Sequence, residues 1–352
     1  MPVSTVENER NGLTMRAAER HPIQMNTIDK IFMTRALDLA SRGEGLVSPN
    51  PMVGAVIVKN SLIAGEGFHL YENLRHAESY ALEKAGGSAH GATLYCSLEP
   101  CCHDGRTPPC TDAIIESGLA RVVIAMADPD SRVNGKGIAQ LAAAGIEVES
   151  GLCAEEAARQ NECYLKHIRT GSPFLHLILP APASGSWAPS PALLETLDRY
   201  DAVVLIESGV AGQAMVEHVV SQRKHRPVGV VLREEDVQGA RAAATGSNTG
   251  LIRLSREEMT FSGLIRRLEA SAMTSAAILS GAMMSEKEDV ARVDKVTIVC
   301  NAGNGEQSNG GPSAAFNWRG RELTLYDSKA VAAAAAVEIT GYPRRGEAGL
   351  LD

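Results

Sequence analysis

Three short stretches of the chain carry residue types that could hold a metal and move a proton: His76-Ala77-Glu78, Pro100-Cys101 and Pro109-Cys110. One imidazole and two thiolates give a zinc ion three protein ligands and leave its fourth tetrahedral position open for water. A catalytic zinc requires that opening and a structural zinc lacks it. Two thiolates also cancel the ion's double charge, so bound water is acidified less than in an all-histidine site and a general base is needed. Glu78, two residues after the histidine, is placed to take that proton and pass it on, alternating as base and acid. The competing reading is a structural Cys/His cluster, or histidine and cysteines packed in a core. Cys102 competes with Cys101 as a ligand; Cys101 is preferred because it directly follows the proline.

The order His-x-Glu, Pro-Cys, Cys is that of the zinc deaminases of nucleobases, which points to hydrolytic loss of ammonia from a ring amine. Here the cysteines are separated by eight residues, Cys102 to Pro109, and not by two. A loop that brings His103 and Arg106 to a metal suits an anionic group such as phosphate; a solvated polar loop is the alternative. Of the seven cysteines, three fall within Cys101 to Cys110, which suits metal binding in a reducing cytoplasm better than a disulfide framework. Cys96 reads as core, and Cys153, Cys163 and Cys300 as buried or incidental.

These residues must be positioned by elements, and the pattern supplies them. Thr27 to Arg42 predicts a helix with Ile28, Ile31, Phe32, Leu37 and Leu39 on its apolar stripe and Gly43 at its end. Met52 to Val58 and Leu62 to Gly65 read as a strand pair, Ala77 to Ala85 as a helix that begins at the histidine, and Thr93 to Ser97 as a strand. A helix over Thr111 to Ser117, a strand over Arg121 to Ala125, a helix over Ile138 to Ala144 and a strand over Ile146 to Glu149 follow. The histidine therefore lies at the start of a helix, and Cys101 and Cys110 at a loop leading into another, where the local dipole favours thiolate. Alternating strands and helices make a mixed or parallel sheet with helices on its faces the economical α/β architecture.

Turn residues at Thr170 to Pro173 mark a boundary, after which the alternation resumes. Strands are expected at Phe174 to Leu179, Ala202 to Ile206, Pro227 to Leu232, Ala276 to Leu279 and Lys295 to Cys300. Helices are expected at Ala192 to Asp198, Ala211 to Arg223 and Glu257 to Ser271. Asn301 to Ser313 reads as a loop, and the alanine run Ala332 to Val337 as helix.

The 352 residues suffice for two cores, with ordinary apolar (44%) and charged (22%) content. A net charge of −8 argues against a nucleic-acid partner. No apolar run approaches the roughly 20 residues that span a bilayer, so no membrane role is expected. The first 26 residues are polar and read as a disordered extension, or as upstream sequence before a start near Met25.

At this point a family is identifiable. Ser48-Pro49-Asn50-Pro51-Met52-Val53-Gly54, His76-Ala77-Glu78, the run Leu98 to Cys110 and Asp128-Pro129 with Val133-x-Gly135-x-Gly137 resemble the deaminase half of the bifunctional riboflavin-biosynthesis deaminase/reductases. The resemblance implies a cytidine-deaminase-like three-layer domain over 27–171 and deamination of a phosphorylated diaminopyrimidine, a small-molecule partner. It implies Zn2+ on His76, Cys101 and Cys110, with Glu78 as proton shuttle. Asn50 would hold the pyrimidine, His69, His103 and Arg106 would face the substrate, and Asp128 would contact the ribose-phosphate portion. Asp130-Ser131 stands where the family usually reads Asn-Pro, placing a carboxylate near a phosphate.

Over 172–345 the resemblance is to the dihydrofolate-reductase-like reductase domain, with departures. The Lys-x-Ala-x-Ser-x-Asp-Gly pattern is replaced by Ile178 to Gly185, where only the glycine survives. The Glu-Gly-Gly turn appears as Leu279-Ser280-Gly281, adding a side chain where cofactor phosphates must come close. The expectation is a retained fold that does not use NADPH, in a cytoplasmic homo-oligomer. Two alternatives stand beside it: a fully bifunctional enzyme, and a deaminase of a related aminopyrimidine or pteridine with a C-terminal scaffold.

Overall fold

The computed structural model describes residues 27–70, 75–180, 191–205, 229–233, 250–279, 292–301, 313–318, 321–333 and 336–343. The first half runs α1 (Thr27–Ser41), β1 (Gly54–Lys59), β2 (Leu62–Phe68), α2 (Ala77–Ala85), β3 (Thr93–Cys96), α3 (Cys110–Glu116) and β4 (Arg121–Ile124). It continues through α4 (Lys136–Ala143), β5 (Glu147–Ser150), α5 (Ala154–Gln160) and α6 (Glu162–Thr170). Its five strands lie in the order β2-β1-β3-β4-β5. The β2-β1-β3 pairs are antiparallel and the β3-β4-β5 pairs parallel, a mixed sheet.

Period-two alternation builds the layers. Ala55, Ile57, Leu94, Cys96, Val122 and Ile124 face Ala77 and Ala81 of α2, Ile114 of α3 and Leu141 of α4. Their neighbours Val56, Val58, Tyr95 and Val123 face Met33, Ala36 and Leu39 of α1, Ala157 of α5 and Leu165 of α6. A sheet covered on both faces needs strands apolar on both, which is why MVGAVIV shows no polar-apolar alternation. The α1 layer is fastened by Asp29, which receives two bonds from the Arg121 guanidinium (2.9 and 3.0 Å) and one from the Tyr95 hydroxyl (2.6 Å).

The second half contains β6 (Phe174–Pro180), α7 (Pro191–Leu197), β7 (Ala202–Leu205), β8 (Gly229–Arg233), β9 (Gly250–Leu254), α8 (Phe261–Ala270) and β10 (Ser275–Leu279). The strands β11 (Lys295–Asn301), β12 (Ser313–Trp318), β13 (Arg321–Ala333) and β14 (Ala336–Tyr342) complete it. Six strands, β11-β6-β10-β7-β8-β9, are parallel, and the antiparallel meander β12-β13-β14 extends the sheet beyond β11.

The expected helix at Ala332 to Val337 is not formed: Ala332 and Ala333 belong to β13, and Ala336 and Val337 to β14. Ladder bonds to Cys300 and Asn301 hold β14 extended, and pairing of this kind outweighs alanine's helix preference of under about 1 kcal/mol per residue. The strands β9, β12 and most of β13 carried too little periodicity to be foreseen. Glu257 to Ser271 resolves into a short 3₁₀ turn and α8, whose start is capped by the Thr260 hydroxyl accepting from the Gly263 N–H. The segments expected at 1–26, 211–223 and 302–312 lie outside the described residues, as do Ala181 to Gly185, Ser280 and Gly281.

Candidate metal centre and substrate cavity

Local packing brings the first ligand into place. His76 occupies the N-cap of α2, and the helix rests so closely on β2 that a Cβ on Gly67 would lie 2.2 Å from the Ala77 carbonyl oxygen. Only glycine permits that approach. Cys101 follows the carboxyl end of β3, and Cys110 opens α3. His76 Nδ1 lies 3.2 Å from Cys110 Sγ and 3.4 Å from Cys101 Sγ, and the Cys110 N–H donates to Cys101 Sγ at 3.4 Å. The three donor atoms lie within 4.8 Å of one another, the only such His/Cys/acid group among the described residues.

The electrostatics match a cation site. Bonds from Cys110 and His76 draw the Cys101 thiol down to about 4, while the same bond and burial push Cys110 up. The bond to Cys101 raises His76. Glu78 is buried beside them, and burial, reinforced by Cys101, pushes its carboxyl up to about 7. One imidazole nitrogen and two soft sulfurs are a donor set that fits zinc with one position left open, and the Glu78 carboxyl stands beside it as a proton carrier.

The centre opens on a cavity of about 620 Å³ lined by His76, Glu78 and Cys101. Asn50, His69, His103, Arg106, Asp128 and Asp130 all line the same cavity. Their attachments differ. His69 Nδ1 donates to the Arg75 carbonyl (2.9 Å), which leaves Nε2 to accept from Asn50 Nδ2 (3.2 Å). The His69 ring meets His76 edge-on, centroids 5.6 Å apart, and burial lowers its pKa, so it stays neutral. Arg106 is exposed at the rim and His103 half-buried.

Asp128 is buried past the carboxyl end of β4, and desolvation raises its pKa. Its Oδ1 accepts from the Tyr164 hydroxyl (2.8 Å) and the Asp130 N–H (2.9 Å). The Asp130 carboxylate is claimed by Arg132, whose backbone N–H, Nε and Nη2 all donate to it, and this pair holds its pKa down. The charge expected to repel a phosphate thus comes with its own counter-ion.

Several residues that shape the site were not foreseen. Glu99 is buried and accepts from the N–H groups of Asp128 (3.2 Å), Gly135 (2.9 Å) and Ile138 (3.1 Å), tying the 128–135 loop and the start of α4 to Pro100-Cys101. A Cβ on Gly137 would lie 2.3 Å from the Pro100 carbonyl oxygen, so α4 packs directly on the ligand loop. Asn161 clasps Met52 through two backbone bonds (2.8 and 3.0 Å). Tyr164, His167 and Ile168 bring a wall of α6 to the cavity. Glu99 adjoins the Pro-Cys motif and could have been suspected; the α6 residues carry a signal only once the helix is placed.

A second, smaller cavity of about 160 Å³ lies where the halves meet. It is bordered by Ser48, Glu162, Tyr200, Thr274 and Lys295, at the amino ends of β7, β10 and β11. No described helix is long and apolar enough to cross a membrane.

Comparison with known proteins places this geometry. Residues 26–126 match the family described as "Cytidine and deoxycytidylate deaminase zinc-binding region". The riboflavin biosynthesis protein RibD of Escherichia coli is 51% identical over 160 residues, 46% of this chain and 44% of that one. The chain spans about half the length of the RibD proteins it matches, from 44% to 55% in the first three. A diaminohydroxyphosphoribosylamino-pyrimidine deaminase of Buchnera aphidicola is 49% identical over 145 residues, 41% of this chain and 99% of that one. Among solved structures, a deaminase/5-amino-6-(5-phosphoribosylamino)uracil reductase from Thermotoga maritima aligns over 90% of this chain and 99% of its own, with a TM-score of 0.73 and 26% identity. The fold is therefore a cytidine-deaminase-like domain followed by a dihydrofolate-reductase-like one.

Proposed function

The chain belongs to the diaminohydroxyphosphoribosylamino-pyrimidine deaminase family, and from that premise we propose that it deaminates 2,5-diamino-6-ribosylamino-4(3H)-pyrimidinone 5′-phosphate hydrolytically in riboflavin biosynthesis. The observation that carries the reading is the His76–Cys101–Cys110 cluster with buried Glu78 at the floor of one cavity. The deaminase unit is 27–171, and 172–345 is the reductase-like unit.

His76 Nδ1 and the two sulfurs would hold zinc, whose Lewis acidity makes a water nucleophilic at neutral pH. Glu78 takes the proton from the attacking water. A carboxyl near 7 can return that proton, so Glu78 then protonates the departing amine as the ring carbon becomes a carbonyl and ammonia leaves. Asn50, its Nδ2 engaged by His69, offers its side-chain carbonyl to the pyrimidine edge. Asp128 takes the ribose-phosphate portion, and His103 and Arg106 meet the anionic end at the rim. Asp130 borders that end as the Arg132 pair.

The second half does not turn over NADPH in this reading. What supports it is the sequence at Ile178 to Gly185 and Leu279 to Gly281, where a lysine, an aspartate and a glycine of the reductase pattern are replaced. The protein works in the cytoplasm as a homo-oligomer on a small phosphorylated pyrimidine, with a net charge of −8 disfavouring nucleic acid. One observation favours the fully bifunctional alternative: the Thermotoga deaminase/reductase aligns across both halves. A single assay on the diaminopyrimidine phosphate decides, following ammonia release and NADPH oxidation separately. Ammonia without NADPH oxidation is the expected outcome; oxidation of NADPH on the deaminated product establishes the bifunctional enzyme, and no ammonia overturns the deaminase.

A further inference from the structure

We infer that the second half of this chain acts on the first by holding two walls of its substrate cavity, through Glu162–Lys295–Tyr342 on α6 and Ser48–Asp201–Thr274 on the loop before β1. The inference rests on the deaminase reading above and adds to it a task for the half whose reductase sequence is altered.

Helix α6 is one rod with two employments. At i and i+4, Glu162 and Lys166 face the second half: Glu162 Oε1 accepts from Lys295 Nζ (2.6 Å), Glu162 Oε2 from the Tyr342 hydroxyl (2.6 Å), and Lys166 pairs with Asp294 (3.0 Å). At i, i+3 and i+4 on the other side, Tyr164, His167 and Ile168 line the substrate cavity, with the Tyr164 hydroxyl on Asp128. Rotation or sliding of α6 therefore moves Tyr164 and Asp128 together.

A second wall is held in the same way. The Ser48 hydroxyl donates to Asp201 Oδ2 (2.9 Å) and lies 3.0 Å from the Thr274 hydroxyl. Asp201 in turn accepts from the Thr274 N–H (2.8 Å) and hydroxyl (2.6 Å), so the anchor is itself fixed. Two residues after Ser48 comes Asn50, bonded to His69. Asn161, just before α6, joins the two walls through Met52.

The anchors are built to hold. The Lys295–Glu162 pair is 18% and 11% exposed, so its charges are shielded from competing water. The small cavity between the halves lies at the amino ends of β7, β10 and β11, the edge opposite to the one where open α/β sheets bind ligands. It is a joint. Ser48, Glu162 and Lys295 are positioning residues, acting through Asn50 and Tyr164.

The test uses the full-length, zinc-loaded chain and the variants Lys295→Met, Lys295→Arg and Ser48→Ala. The readouts are KM and kcat for ammonia release from the diaminopyrimidine phosphate, and hydrogen exchange of residues 48–52 and 160–168. Lys295→Met and Ser48→Ala are expected to raise KM roughly 3- to 30-fold with kcat and zinc content unchanged, and to speed exchange in both segments. Lys295→Arg is expected to restore both. KM and exchange equal to wild type in Ser48→Ala and in folded Lys295→Met overturn the inference. Should Lys295→Met fail to fold, Ser48→Ala, which removes one half-buried hydroxyl, decides alone. Wild-type protein that releases no ammonia defeats the substrate reading instead, and the exchange arm still judges the clamp.

Discussion

The two sheets of this chain present opposite edges to the same site. In the five-stranded sheet, the candidate site gathers past the carboxyl ends of the parallel strands: Cys101 and Glu99 follow β3, and Asp128 follows β4. In the nine-stranded sheet, the edge turned toward that site is the amino end, where Asp201, Thr274 and Lys295 precede or open β7, β10 and β11. Open α/β sheets bind ligands in the crevice outside the carboxyl ends of their strands, not at the amino ends. One sheet makes a pocket there and the other makes a footing.

The polar interior repeats the contrast. The first half holds groups away from their ordinary protonation, buried Glu78 and Asp128 raised and half-buried Cys101 lowered, all bordering one cavity. The second half also buries a histidine, but His176 is engaged on both nitrogens, by the Tyr200 hydroxyl (2.6 Å) and the Thr297 hydroxyl (2.8 Å). Thr297 continues the chain of bonds to Thr340 (2.6 Å), joining β6, β11 and β14. Perturbed groups at a cavity mark chemistry, and satisfied groups in a core mark cohesion.

The sharpest way to break the comparison is Glu78→Gln. Rate of ammonia release is expected to fall about 10²- to 10⁴-fold while zinc, counted by metal analysis, stays bound; full activity would remove the chemistry from this cavity. Gly137→Ala comes next. Its new methyl group meets the Pro100 carbonyl, so thermal denaturation is expected to show a loss of about 2–3 kcal/mol, accompanied by weaker zinc retention.

Asp29→Asn sharpens the support side of the first half. Its bonds from Arg121 hold the native carboxyl below the usual carboxylate range, so the stability they contribute is present above that range and is lost as pH falls through the lowered value. The variant is therefore expected to melt earlier than wild type at neutral pH, by about 1–3 kcal/mol, with the gap closing in acid. An undiminished gap at low pH would show that the carboxylate charge is irrelevant. The smallest effect belongs to His176→Gln, expected to cost about 1 kcal/mol in denaturant unfolding and to leave kcat for ammonia release unchanged. A drop in kcat there would show that the second half does more than support.

Much of the first half was legible because its signals are local. A glycine-flanked apolar strand, a helix opening at His76 and cysteines beside prolines are patterns within a few residues, and α2, β3, α3 and β4 occur close to where they were expected. The tail was not legible. Alanine's preference for helix is weak, and what made Ala332 to Val337 extended was a partner strand more than thirty residues away, at Lys295–Asn301.

By itself, the sequence determined the family, the metal-capable triad with its acid, and the loop that sets this deaminase class apart, since each depends on residue types at short spacing. The tertiary structure decided what no spacing encodes. It gathered Asn50, His69, His103, Arg106, Asp128 and Asp130 around one cavity, set Glu99 under three N–H groups, and turned α6 so that one face serves the site and the other grips the second half. Those relations join segments far apart along the chain, so they exist only once packing has fixed which face of each helix meets which strand.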